Sequence, residues 1–420
     1  MSLFDQQGDR LLTESQHSWL RVREYLQQHR YELGQSAAEE YTDTPKVAEA
    51  PLLTRPEWLP AEPIPLDVME LEFVPDRPFI GLTGADPATA AVRPIRLDGS
   101  RYPTYAAAMA DLASPAVFEN RSTYRLLDAD LSGPPGRLVF GRGTYFDGID
   151  LGEAAAHEYA VSRLTGADTP LRAVVGNPCD PARRPMNVAI SALTIRYDRA
   201  GGGATFLLHW RDPAKVGHAG GLYMVMPVGI FQASNDQPHH ELNDFSLWRC
   251  LVREYAEELL GEPENHSSTP IDYDAWPFVA RMTEALSSGQ IRAHVVGMGV
   301  DPLTFATDIL TAVVFDAPLF DELFAGLVDT NAEGCLVGST AGRSSEGIPF
   351  TTDQLRRLTQ QPMQAAGMAL LARTARLGYP VTVSPPTFTD HPKLIRSSQK
   401  SSSCSSPRIS MLSLWADWRR

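Results

Sequence analysis

The pattern of apolar and polar positions changes character several times along the chain. Over roughly residues 10–41, Trp19, Leu20, Val22, Leu26 and Leu33 make a loose apolar face, and Thr13 and Gln16 stand at capping-box spacing, which predicts one helix. No second short helix and turn follows, as a helix-turn-helix DNA reader would require. The proline-rich stretch 51–65 cannot continue a helix and is expected as an extended linker or an arm lying on the surface. Residues 66–135 alternate short strand-like runs with turns around one helix at 105–112. A strand at 138–140 then enters a glycine-rich loop with Gly141, Gly143 and Gly148, and a helix is expected from about Gly152. Glycines between a strand and a helix could cradle an anion. Their order matches neither the dinucleotide fingerprint nor the P-loop, so a turn-forming role is expected. His157 and Glu158 in that helix read as structural.

From about 186 the elements sharpen. Strands are predicted at 187–197 and 204–210, joined by a hairpin at Gly201-Gly202-Gly203. A strand at 222–226 runs into Pro227-Val228-Gly229, and a polar loop at 233–243 leads into a helix over 244–260 that stops at Gly261. A helix near 273–286, strands at 292–298 and 309–315, a helix at 319–327, a strand at 335–337 and helices at 352–359 and 362–377 follow. Mixed strands flanked by helices place the chain in the α/β (α+β) class, as a layered sandwich.

The chain has 420 residues, enough for two or three domains or one with an appendage. The expected organisation is an N-terminal helical segment (1–50), a proline-rich linker (51–65), an α+β domain (66–180), a second α/β domain (185–378) and a tail (386–420). The net charge of −14 repels nucleic acid on average. Four cysteines, far apart, support neither a disulfide scaffold nor a thiolate metal site. The residues after Met1 are polar and no apolar run reaches about 18 residues, so no signal peptide or membrane span is expected and a cytoplasmic location is. The tail reverses the charge, with six basic residues against two acidic ones, and its serines at 397–406 predict disorder.

The segment 247–261, LWRCLVREYAEELLG, carries the candidate chemistry. Trp248, Leu251, Val252, Tyr255 and Leu259 form one apolar stripe at helical spacing. Glu254, Glu257 and Glu258 stand at i, i+3 and i+4, so their carboxylates emerge together on a neighbouring face. Their repulsion is relieved by a hard divalent cation, and oxygen ligands suit Mg²⁺ or Mn²⁺. Arg253 could hold one carboxylate in place through a bidentate pair. The plainer alternative is a solvent-facing acidic helix face.

Here the sequence resembles the Nudix hydrolases, whose box reads G-x5-E-x7-R-E-U-x-E-E-x-G-U, with U aliphatic. Arg253-Glu254-Tyr255-Ala256-Glu257-Glu258 matches the R-E-U-x-E-E core, with an aromatic residue for the aliphatic one. Ahead of it, FLLHWRDPAKVGHAGGLYMVMPVGIF places Arg211 and Pro227-Val228-Gly229 where that family has a strand-end arginine and a Pro-Gly-Gly-like turn. Behind it, NAEGCLVG and GIPFTTDQLRRL are similar to the family's late strand, loop and closing helix. The resemblance covers roughly 185–375. The box departs from the pattern in three ways: the loop after Gly229 is expanded, Phe245 stands in place of the first glutamate, and two leucines separate Glu258 from Gly261. The chain is also similar to actinobacterial proteins, some of them transcriptional regulators in which a DNA-binding domain comes first. No such domain is recognisable here.

The resemblance implies a Nudix-like α/β/α sandwich with a mixed sheet, and cleavage of a nucleoside diphosphate linked to another group. It implies Glu254, Glu257 and Glu258 as catalytic carboxylates and ligands of Mg²⁺ (or Mn²⁺), with Arg253 orienting them. Arg211, Tyr223 and Gly229 would face the substrate, with Trp210 as a second stacking ring. A further carboxylate would come from Glu333 or Glu346. His239, His240 and Glu241 in the expanded loop read as solvated. The expected partner is a nucleotide-derived small molecule, with no membrane and no direct nucleic acid; the oligomeric state is open, a homodimer included. The alternative function is a non-catalytic Nudix-fold sensor of a nucleotide-derived ligand or a transcription-associated regulatory protein.

Overall fold

The computed structural model describes residues 11–115, 118–211, 221–264, 267–328, 334–337 and 347–379. The 386–420 tail lies outside them. Two helices open the chain, α1 (Glu14–Gln28) and α2 (Arg30–Glu40). α1 begins at the expected capping box: the Thr13 hydroxyl accepts from the Gln16 amide, and the Gln16 side chain accepts from the Thr13 amide. The single helix predicted over 10–41 divides at His29, whose φ of −120° and ψ of 21° fall outside the helical region.

The stretch 51–65 is not a linker. Leu52, Leu53 and Trp58 are buried, Leu53 exchanges backbone hydrogen bonds with Val300, and β1 (Ile64–Pro65) pairs with a long central strand. Proline tolerates an extended edge position, and the apolar residues between the prolines do the packing. β2 (Glu70–Phe73), α3 (Tyr105–Leu112), β3 (Ser122–Asp130) and β4 (Arg137–Thr144) follow, the strands forming a sheet in the order β2-β4-β3. β4 runs straight through Gly141 and Gly143, and α4 (Tyr145–Thr165) starts at the next residue, so the expected glycine-rich loop is absent from these described residues. The glycines serve close approach instead. A β-carbon on Gly152, within α4, would lie 2.2 Å from the carbonyl oxygen of Thr304. His157 is buried against the rings of Trp19 and Tyr105. Glu158 accepts from the amides of Leu171 and Arg172 at the start of α5 (Pro170–Val175), at 2.7 and 2.9 Å. Both are structural groups.

The remaining elements are β5 (Val188–Tyr197), β6 (Ala204–Phe206), β7 (Leu208–Arg211), β8 (Tyr223–Val225), β9 (Val228–Ile230), α6 (Pro238–Asn243), α7 (Leu247–Leu260) and α8 (Pro277–Ser287). After them come β10 (Ile291–Val300), β11 (Thr307–Asp316), α9 (Ala317–Leu323), β12 (Gly334–Val337), β13 (Ile348–Pro349), α10 (Thr352–Leu358) and α11 (Ala365–Arg376). The main sheet has the order β1-β10-β11-β5-β6-β13, with β9 also pairing β5. Its central pair, β11 and β5, is parallel from Thr307–Val188 to Asp316–Tyr197, whereas β10 and β6 pair antiparallel. The strand predicted over 204–210 divides at Leu207: β6 stays in the main sheet and β7 enters a small sheet, β12-β7-β8.

One face of the main sheet, through Ile190, Val313 and Phe315, packs on Leu251, Tyr255, Met282 and Phe320 of α7, α8 and α9. The other, through Leu193, Leu310 and Val314, packs on Ala366 and Leu370 of α11. Burial on both faces explains the unbroken apolar runs of β5 and β11. The fold is an α/β sandwich, mixed in strand direction. Leu126, Phe140 and Leu151 join the same core cluster as the α7 face, so residues 66–180 pack into one core with the main sheet.

Candidate functional site

α7 is fixed at both ends and along its buried side. The Ser246 hydroxyl accepts from the Arg249 amide at the N-cap, and Gly261 ends the helix in the left-handed region at φ 71°. The Tyr255 and Thr194 hydroxyls meet at 2.8 Å, tying the helix to β5. This leaves Glu254, Glu257 and Glu258 half-buried along the helix edge.

β9 is laid against that edge. The Val228 amide donates to Glu258 Oε1 at 2.9 Å. At Gly229 a β-carbon would fall 1.9 Å from the Glu254 carboxyl carbon. The strand therefore comes so close to Glu254 that a side chain at 229 fits only if the Glu254 carboxylate moves aside. Burial first, and then the charges of Glu257 and Glu258, push the Glu254 carboxyl well above its ordinary range, against the opposing charge of Arg253. Burial and the neighbouring Glu264 push the Glu257 carboxyl up to about 7, with Arg253 and Arg121 pulling the other way.

Arg253 does not take the role expected of it. Its Nη2 donates to the carbonyl of Gln232 at 2.6 Å, and its Nη1 lies 3.3 Å from Asp244 Oδ2. It braces the loop after β9, and it acts on the glutamates through its charge. Asp244 is the residue that sequence reasoning missed. It adjoins Phe245, is fully buried, and accepts from the Ser234 amide (2.8 Å), the Ser234 hydroxyl (2.6 Å) and the Tyr273 hydroxyl (2.9 Å). Burial acts to raise its carboxyl, but the Ser234 hydrogen bonds and the Arg253 charge outweigh it and hold the group below its ordinary range. Spacing gave no cue, because the 244–260 pattern reads as helix and the helix itself begins three residues later.

A cleft of about 610 Å³ opens beside Glu257, with Arg253, Glu262, Glu264, Asp272 and Trp276 in its wall. Arg121 pairs with Glu264 and donates to the Ser234 carbonyl at 2.8 Å.

Of the three expected substrate-facing residues, only Gly229 is brought against the glutamates by these contacts. Arg211 and Tyr223 belong to the small sheet. Arg211 Nη1 lies 3.6 Å from Met224 Sδ, and Tyr223 is opposite Trp210 with its backbone bonded to Pro362 and Gln364. The expanded loop is not a solvated run: it contains α6, with His240 buried and its Nδ1 3.0 Å from the Ser234 hydroxyl. His239 and His240 both reach the Ser268 carbonyl, while Glu241 is held by Arg142 at 2.8 and 2.9 Å. The three side chains do not converge. Glu333 and Glu346 lie outside the described residues.

Among the described residues, no group of three or more His, Cys, Asp or Glu side chains is arranged to hold a metal ion. The oxygen donors of α7 suit a sparser mode. Mg²⁺ keeps several waters and is commonly held by one or two carboxylates together with substrate phosphates. Glu254 and Glu257, their carboxyls raised by burial and neighbouring negative charge, are the donors that fit it.

No protein-family model matches the chain, and no curated protein matches it. Among solved structures, a NUDIX hydrolase from Alicyclobacillus acidocaldarius is similar over 46% of this chain and 92% of its own, at 16% identity and a TM-score of 0.23. A likeness at that level carries no functional weight. Among the described residues no helix is long and apolar enough to cross a membrane.

Proposed function

We propose that the chain is a Mg²⁺- or Mn²⁺-dependent hydrolase of a nucleoside diphosphate linked to a second group, with Glu254, Glu257 and Glu258 as its working carboxylates. The observation that carries the reading is the approach of β9 to α7, where Gly229 gives the Glu254 carboxyl its place and the Val228 amide orients Glu258. A strand laid against two of the three carboxylates on one helix edge is the arrangement expected of a site rather than of a solvated acidic face. Glu257 faces the cleft, where an oxygen not engaged with the ion could take a proton from an attacking water. The divalent ion, when bound, supplies charge neutralisation at the phosphoryl oxygens and lowers the pKa of that water. Glu254 and Glu257 would hold the ion, and Glu258, with one oxygen committed to Val228, would complete the negative field. Arg253 acts as a positioning residue, since its guanidinium is engaged with Gln232 and Asp244. Arg211 and Tyr223, on the small sheet, remain candidates for contacting the far part of a substrate.

The second reading, a ligand sensor without turnover, is favoured by one observation: no ready-made set of three metal-ligating side chains among the described residues. The two separate on release of phosphate or nucleoside monophosphate from a panel of nucleoside diphosphate derivatives at millimolar Mg²⁺. Metal-dependent release that Glu257→Gln abolishes, in a variant that still folds, supports the hydrolase. No release from any member, with a nucleotide still raising the melting temperature, supports the sensor.

A further inference from the structure

On the face of the main sheet opposite the glutamates, three polar side chains meet without satisfying one another. Arg292 and His294 stand two residues apart on β10 and so project to the same face. Tyr379 follows α11, with its ring centroid 5.7 Å from that of His294 in an edge-on arrangement. The Arg292 guanidinium lies 5.7 Å from the centroid of the Tyr197 ring, at the end of β5. Among the described residues, Arg292 Nε and Nη2, His294 Nδ1 and the Tyr379 hydroxyl are all buried atoms without a hydrogen-bond partner. Buried donors are almost always paired, because leaving one unmet costs about 1–3 kcal/mol, more when it is charged. Three such donors, with His294 Nδ1 a fourth in the tautomer that protonates it, call for a common acceptor.

The nearby acids do not supply it. Asp316 Oδ1 is 4.0 Å from Arg292 Nη2, beyond hydrogen-bonding reach, and is already engaged by Arg199 at 2.8 Å. Asp67 acts on His294 through its charge alone. Arg373, on α11, spends its guanidinium on the carbonyls of Val296 and Pro60. The Arg292 side chain nevertheless reaches the surface, being 38% exposed overall with its Nε and Nη2 turned inward. We propose that Arg292, His294 and Tyr379 form a binding site for a tetrahedral oxyanion of the phosphate class, separate from the α7 carboxylates. The Nε–Nη2 edge of a guanidinium takes two oxygens as a fork, and the imidazole and phenol are placed to take a third. A carboxylate offers two oxygens in one plane, whereas a tetrahedral oxyanion offers three or four that point in different directions and suits donors spread over three side chains better. The site stands independently of the hydrolase reading.

Calorimetric titration of the full chain with inorganic phosphate tests it, in EDTA so that no metal-bound phosphate contributes, and with acetate at matched ionic strength beside it. The expected result is saturable phosphate binding, weakened by about tenfold or more in Arg292→Gln and by a smaller factor in Tyr379→Phe, with acetate weaker than phosphate. Tyr379→Phe changes one atom and keeps the ring packing, so it reports even if Arg292→Gln folds poorly. Absence of saturable binding, equal binding by the parent and Tyr379→Phe, or acetate binding as tightly as phosphate would each overturn the assignment.

Discussion

Gly229 and Glu254 compete for the same space: a β-carbon on Gly229 would fall 1.9 Å from the Glu254 carboxyl carbon and 2.5 Å from its Cγ. Glu254 can yield only by swinging its carboxylate off the strand. Gly229→Ala is therefore expected to displace that carboxylate at a cost of about 1–3 kcal/mol from overpacking. Urea unfolding checks the stability loss. The functional consequence reads separately: any rise in melting temperature on adding Mg²⁺ should shrink in Gly229→Ala relative to the parent.

Glu257 makes stability depend on pH in a definite direction. Its carboxyl has an ordinary value of 4.5 and is raised to about 7 in the folded chain, so the folded state holds the proton more tightly. The stability this supplies is complete below about 4.5 and is lost as pH rises through about 7. Asp308, buried beside the Ser191 hydroxyl, is also raised to about 7 and acts in the same window. In EDTA the melting temperature should fall between pH 5 and 8. Glu257→Gln should remove part of that slope, and Asp308→Asn a further part. A profile unchanged by either substitution would show that these groups do not titrate in this range.

The acidic edge of α7 was legible in the sequence because helix periodicity alone brings Glu254, Glu257 and Glu258 together. What surrounds them was not. Arg253 finds its partners at Gln232 and Asp244 across a loop whose path no local pattern fixes. Residues 51–65 read as a linker because proline is the loudest local signal, yet the pairing of Leu53 with Val300 spans most of the chain. Gly141 and Gly143 read as a turn because glycine is permissive. In β4 the lack of a side chain serves the packing of neighbours, such as Arg125 Cβ 2.9 Å from a β-carbon at 143.

Asp244 carries a heavier structural load than any of the glutamates. Its carboxylate is fully buried, faces Arg253 at 3.3 Å and collects the Ser234 and Tyr273 hydrogen bonds. Asp244→Asn keeps the shape and removes the charge, leaving the Arg253 guanidinium buried without its counterion. Breaking one side of a buried pair costs about 3–5 kcal/mol. Tyr273→Phe removes one hydrogen bond and should cost about 1 kcal/mol. Denaturant midpoints measure both, and a loss in Asp244→Asn no larger than in Tyr273→Phe would mean the ion pair contributes little.

A second buried charge centre lies far from the site and tests whether residues 1–50 belong to the same cooperative unit. Glu153 of α4 sits between Arg23 of α1 and Arg30 of α2. It pairs with the first and accepts from the second at 3.1 Å, and all three side chains are no more than 5% exposed. Two guanidiniums share one carboxylate there, so Glu153→Gln removes the negative charge that faces both and is expected to cost about 3–5 kcal/mol. Because α4 also packs into the core shared with the main sheet, the loss should lower one unfolding transition for the whole described chain. Followed by tryptophan fluorescence and far-ultraviolet dichroism together, the two signals should shift in step. If Glu153→Gln instead splits the transition, with the fluorescence of Trp19 lost first, α1 and α2 form a separable unit docked on the rest.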